Sequence, residues 1–116
     1  MVANFHGLFD GPDKHDNPDR ISQAHIIKDF LSRSTEAKIL CGDFNLLPNS
    51  ESLAMIKGGM RDLIKENNVQ STRSKLFPLA NKFSDYIFVS PEVTVNQFKV
   101  LDDTISDHLP MLLEFE

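Results

Sequence analysis

Short apolar runs, separated by polar stretches marked with glycine and proline, recur along the whole chain, and their spacing alternates between strand-like and helical. Residues 2–6 form the first run, and residues 7–17 read as a loop carrying Gly11-Pro12 among Asp, Lys and Asn. Asn17 before Pro18 is an N-cap followed by the residue best suited to a first helical position. Ile21, Ala24, Ile27, Phe30 and Leu31 then fall on one face at helical spacing, with Ile26 at the flank. This predicts a helix to about residue 32 whose stripe is core. Residues 38–41 read as the next strand, and the intervening crossover is long enough for parallel pairing. After a loop at 44–49, Ser50 caps a short helix that Gly58-Gly59 ends near residue 57. Residues 60–66 suggest another short helix, and 67–79 are irregular. Residues 85–90, 93–101 and 111–115 read as strands, parted by Pro91-Glu92 and by 102–110. The order predicts an α/β fold with a mixed β-sheet.

Composition narrows this picture only a little. With 116 residues, 41% hydrophobic and 25% charged, the chain is expected to form one globular domain with a real core. No apolar run approaches the ~20 residues that cross a bilayer, and no basic segment followed by a long apolar core suggests a secretory signal. The lone Cys41 sits in an apolar strand, reads as a small buried hydrophobe, and fits a reducing, cytoplasmic setting. The net charge of −5 argues against a broad basic surface that grips nucleic acid. It leaves open an enzyme that meets a phosphodiester through a bound cation, because the metal supplies the positive charge.

The chemistry concentrates where strands end. Ile39-Leu40-Cys41 breaks into Gly42-Asp43-Phe44-Asn45, and Ser106-Asp107-His108 precedes the last apolar run. Ser84-Asp85 opens the strand Tyr86-Ile87-Phe88-Val89, and Asn4-Phe5-His6 closes the first. Neighbouring strand ends in one sheet lie within side-chain reach, and open α/β sheets build their sites there. Each piece also has a plainer reading. Gly42-Asp43 is acceptable turn chemistry, Asn45 an Asx-type cap, Asp107 a turn residue, and Asp85 a residue at a solvated edge. His15 and His25 read as solvated, Arg20 and Gln23 as braces of the first helix, and Arg73 and Lys75 as parts of a solvated loop, the commoner reading of an irregular segment that could also contact phosphate.

Taken together, N-F-H, G-D-F-N, S-D-Y-I-F-V and S-D-H-L-P resemble the later motifs of the endonuclease/exonuclease/phosphatase superfamily, in that family's order. The resemblance implies a phosphoester hydrolase that uses metal-activated water. His108 is similar to the family's catalytic histidine, acting as base or acid, and Asp85 to the acid that fixes its tautomer. Asp43 would orient or activate the water, and Asn45 would steady a phosphate oxygen or the metal. Asp107 resembles a metal-associated aspartate, so the metal set is Asp107, Asp43 and Asn45 around Mg²⁺ or Mn²⁺. His6 resembles a histidine that contacts phosphate, with Asn4 beside it.

The same resemblance marks a departure. The family's domain is a four-layer sandwich of two sheets about twice this length, and its first half carries an asparagine and a metal-binding glutamate that this chain does not contain. The expected architecture is therefore half of that sandwich, a mixed sheet with helices on one face, residues 1–116 being a partial domain. Its other face would be left exposed. Three accounts follow: a piece of a longer protein missing its N-terminal half, a homodimer that covers the face with a second copy, or a homologue that folds without catalysing. The expected substrate is a phosphoester: a nucleic acid, a lipid head group or a small phosphate ester. The rival is a non-catalytic half-domain that pairs through its exposed sheet face.

Overall fold

A computed structural model describes residues 1–116. Strand β1 (Val2–His6) runs parallel to β2 (Ile39–Asp43), joined by α1 (Pro18–Ser32) as the crossover. After α2 (Glu51–Lys57), the short β3 (Arg61–Asp62) and α3 (Leu63–Glu66) lead to β4 (Asp85–Val89). Strand β4 lies antiparallel to β2 and to β3, which gives the sheet order β1-β2-β4-β3. Its five residues are all buried, as expected of an aromatic and β-branched run flanked on both sides. The sheet is mixed, as the sequence predicts.

Both cap assignments hold. The Asn17 side chain accepts from the Arg20 N–H at 2.8 Å, and Ser50 Oγ accepts from the Leu53 N–H at 3.2 Å. Gly58 closes α2 with a φ of 53°, a conformation open to glycine. The helix expected over 60–66 is shorter. Arg61 and Asp62 instead pair with the free edge of β4, and only the four residues after them coil, capped by the Asp62 carboxylate.

The apolar stripe of α1 is narrower than its sequence suggests. Ala24 and Leu31 are buried, together with Arg20, whereas Phe30 and Ile26 are 54% and 67% exposed. A helix laid against α2 buries one line at spacings of four and seven, and Phe30 and Ile26 sit on its outer flank.

Alternation along the strands splits the core across the sheet. On the helical face, Leu40, Tyr86 and Phe88 pack with Phe5, Phe44, Ala24, Leu31, Leu53 and Ile56. Phe44 anchors this side with edge-on contacts to Phe5, Tyr86 and Phe88, ring centroids 5.1, 5.4 and 5.4 Å away. On the other face lie Ile39, Ile87 and Val89. Here the structure corrects the expectation of a bare face. Strands β5 (Val95–Val100) and β6 (Met111–Phe115) form a separate antiparallel pair, and Phe98, Met111 and Leu113 pack on that cluster. Burying these residues on the sheet removes their apolar surface from water. The hairpin has a free edge on each strand, and Leu112 and Phe115 remain 39% and 47% exposed. No helix is long and apolar enough to cross a membrane.

Candidate active site

Register aligns the first three acid and imidazole groups. His6 lies opposite Asp43, and Asp43 opposite Asp85, so the three form one row across β1, β2 and β4. Asp43 and Asp85 share their parity with Cys41 and Ile87, which places them on the face covered by the β5–β6 pair. The connection between β5 and β6 carries Asp107 and His108 back over the row. It is tied there by backbone bonds to the irregular segment before β4: Ser74 N–H to Asp107 O at 3.0 Å and Leu109 N–H to Thr72 O at 2.9 Å.

His108 is held from both sides. Its Nδ1 lies 2.9 and 3.0 Å from the two Asp85 oxygens. With a carboxylate as partner, Nδ1 carries the hydrogen and Nε2 presents its lone pair. Nε2 receives Arg73 Nη1 at 2.6 Å and stands 3.7 Å from Asp43 Oδ2. The ligand atoms of Asp43, Asp85 and His108 all fall within 4.8 Å of one another. His6 Nε2 approaches the same Asp43 oxygen at 3.9 Å, with a side chain that is largely exposed.

Asp43 divides its two oxygens between structure and site. Oδ1 accepts from Ser84 Oγ in a short hydrogen bond and from the Asn45 N–H at 3.1 Å, leaving Oδ2 toward the imidazoles. Asn45 is buried at a φ of 52°, a region asparagine tolerates better than most residues, and its amide donates to Gly7 O at 3.1 Å. Its Oδ1 sits 3.5 Å from Ser84 Oγ. Asp107 is half exposed and pairs with Arg73 at 3.1 Å, so one of its oxygens is already engaged. Asn4 lies on the exposed outer strand, its amide against Cys41 Sγ at 3.7 Å and away from the cluster.

Two cations come with the cluster. Arg73 is not the solvated loop residue its sequence context suggests: it is 7% exposed and bonded to both Asp107 and His108. Its Nε is buried with no hydrogen-bond partner. Lys14 is 5% exposed, its Nζ within 3.3 Å of Phe83 O. Burial pushes the Lys14 pKa down, Arg73 adds to that, and Asp43 and Asp85 pull against it. Neither cation carries a sequence signal, because nothing in a polar run distinguishes a residue folded inward by backbone bonds from one in water. Lys75 is exposed, as are His15 and His25. Arg20 braces the loop before α1 more than the helix itself, donating to His15 O and Asp13 O at 2.6 Å each. Gln23 accepts from the Leu8 N–H at 3.0 Å.

Burial raises the Asp85 pKa, and the neighbouring Asp43 adds to this, although the His108 hydrogen bond pulls it down. The fold thus disfavours the ionised form. Below an unfolded-state pKa near ~4 the carboxyl is protonated in both states and carries no penalty. As pH rises through the raised folded-state value, that stability is lost. Asp85→Asn is therefore expected to melt higher than the parent at pH 7 in metal-free buffer. The difference should vanish near pH 4. A variant that melts lower at pH 7 would show that the ionised pair with His108 outweighs burial.

The sequence matches the endonuclease/exonuclease/phosphatase family over residues 6–108. Among solved structures, the chain resembles a mannosyl-6-phosphatase from Bacteroides thetaiotaomicron at 23% identity and a TM-score of 0.68, covering 88% of this chain and 48% of that one. An endonuclease/exonuclease/phosphatase family protein from the same organism aligns at 24% identity and a TM-score of 0.67, over 83% and 44% of the two chains. A functionally unknown conserved protein from Enterococcus faecalis V583 gives 24% identity and 0.66, over 84% and 44%. No curated protein sequence matches significantly. The chain spans less than half the length of these structures.

Proposed function

The chain belongs to the endonuclease/exonuclease/phosphatase family, and from that membership we propose that it is the histidine–carboxylate half of a divalent-metal-dependent phosphoester hydrolase. The observation that carries this reading is the convergence of Asp43, Asp85 and His108 within 4.8 Å, three groups from two strands and a distant loop.

In this reading, Asp43 Oδ2 orients the attacking water and takes its proton. The oxygen is free for that task because Ser84 and the Asn45 N–H hold Oδ1. Asp85 holds the Nδ1–H of His108, so Nε2, protonated before the step, is the atom that gives its proton to the departing ester oxygen. Arg73, resting on Nε2 without substrate, turns to the phosphoryl oxygens when one arrives and steadies the charge that develops there. The bond from water oxygen to phosphorus forms as the ester bond opposite it breaks.

The donor set suits a hard cation in part. Asp43, Asn45 and Asp107 would offer oxygens appropriate to Mg²⁺ or Mn²⁺, although Arg73 already engages one Asp107 oxygen. Such an ion, when bound, neutralises phosphate charge and lowers the pKa of water. The free edges of β5 and β6, with exposed Leu112 and Phe115, are where a missing half or a second copy would add. The same feature favours the second reading, a non-catalytic module that pairs through this hairpin.

Hydrolysis of bis-p-nitrophenyl phosphate and p-nitrophenyl phosphate with Mg²⁺ or Mn²⁺, run beside light scattering, tests the proposal. The expected result is turnover that chelation lowers by at least ~100-fold and that added metal restores. A folded sample that light scattering shows to be a stable oligomer, and that turns over neither ester with any divalent cation, would favour the pairing module.

A further inference from the structure

Beside the cluster lies a cavity of about 300 Å³, walled by Phe9, Pro12, Phe77 and Leu79 and floored by the stems of Lys14 and Arg73. Its surface is almost entirely apolar, although the charged ends of Lys14 and Arg73 lie over the Phe77 ring that forms one wall. Arg73 belongs to both places. Its guanidinium carbon lies 4.3 Å from the centroid of the Phe77 ring, and its Nη1 reaches His108 Nε2 at 2.6 Å. The slot therefore opens one guanidinium away from the nitrogen assigned to the reacting phosphoester. Lys14 and Lys82 also face this ring, their Nζ atoms 5.3 and 5.7 Å from its centroid, without reaching His108.

The walls are positioned rather than loose. The loop bearing Phe9 and Pro12 is clamped to α1 by Arg20 and Gln23. The opposite wall is tied by the Phe77 N–H to Ser74 O at 3.1 Å and by Lys82 Nζ to Phe77 O at 3.3 Å. Phe9 and Leu79 nonetheless remain 70% and 43% exposed. Large apolar side chains held in place around an open slot are what a ligand's apolar part would cover. Of the two larger cavities, one runs along residues 67–71 and reaches Leu109 and the other lies by residues 62–65, and neither is lined by Asp43, Asp85, His108 or Arg73.

We propose that this slot, between Phe9, Pro12, Phe77 and Leu79, binds a ring-sized apolar group carried by the phosphoester next to its reacting phosphorus. The assignment rests on the phosphoester reading and adds the substrate class: an aryl or similarly compact apolar phosphoester. Its anionic end would meet Arg73 while its ring fills the slot.

Non-hydrolysable phosphonates separate the two claims. Titration calorimetry of the 116-residue chain in Mg²⁺ would compare benzylphosphonate with methylphosphonate. The comparison is repeated in Phe9→Ser and Leu79→Ser, exposed positions outside the catalytic cluster. Benzylphosphonate is expected to bind about tenfold tighter or better, from the ring surface removed from water. That preference should fall to threefold or less in both variants, with methylphosphonate unaffected. Equal affinity for the two ligands, or a preference that survives both substitutions, would overturn the slot and leave the phosphoester reading standing. Binding of neither ligand would overturn both.

Discussion

His108→Ala is expected to lower phosphoester hydrolysis by about 10²–10⁴-fold, the range over which a positioned acid–base group contributes. Asp43→Ala should do the same, while both variants melt close to the parent. The expectation follows from what each side chain touches. His108 has a third of its side chain exposed and bonds only to Asp85 and Arg73, so its loss opens a polar corner rather than the core. Asp43 gives up its bonds to Ser84 and the Asn45 N–H but relieves a carboxylate that raises the Asp85 pKa. Rates on p-nitrophenyl esters, measured beside thermal melts in circular dichroism, decide the matter. Variants that lose most of their stability while keeping full turnover would make both residues structural and sink the assignment.

Gly42→Ala carries the largest expected effect on stability. Gly42 sits inside β2 opposite Phe5, with a φ of +144° that side-chain-bearing residues rarely adopt. A Cβ placed there would lie 1.8 Å from the Phe5 carbonyl oxygen, and backbone cannot turn aside as a side chain can. Strands β1 and β2 would have to separate, and with them the row of His6, Asp43 and Asp85. The expected loss is at least ~3 kcal/mol, in the upper tail for single substitutions, or a chain that does not fold. Gly59→Ala, where nothing lies within 4 Å of an added Cβ, is the control and should be nearly neutral. Urea midpoints measure both. An alanine at 42 that unfolds at the parental midpoint would show that the parallel pair tolerates the side chain.

The contrast between these two glycines marks the limit of local reading. Both follow short apolar or amphipathic runs, and the sequence does not separate them. Local reading recovers the features whose cause lies within a few residues. Asn17 and Ser50 cap the helices because their side chains meet backbone N–H groups three positions on. The crossover length between residues 6 and 39 allows a parallel pair, and β1 and β2 form one. The polar groups at the strand ends, Asp43, Asp85 and His108, stand out because they interrupt apolar runs.

The remaining features depend on contacts between distant parts of the chain. Arg73 and Lys14 are buried although their segments look like solvated loops, because backbone bonds between residues 72–74 and 107–109 and the brace from Arg20 fold those segments inward. Phe30 and Ile26 are exposed although they extend the apolar stripe of α1, because α2 covers only one line of that helix. The β5–β6 pair lies across the sheet instead of extending it, a choice that strand-forming propensity does not encode. The physical reason is common to all three. Caps and turns are set by contacts a few residues apart, whereas the burial of a charge or an apolar face depends on which distant surface reaches it first, and that competition is settled only when the whole chain has packed.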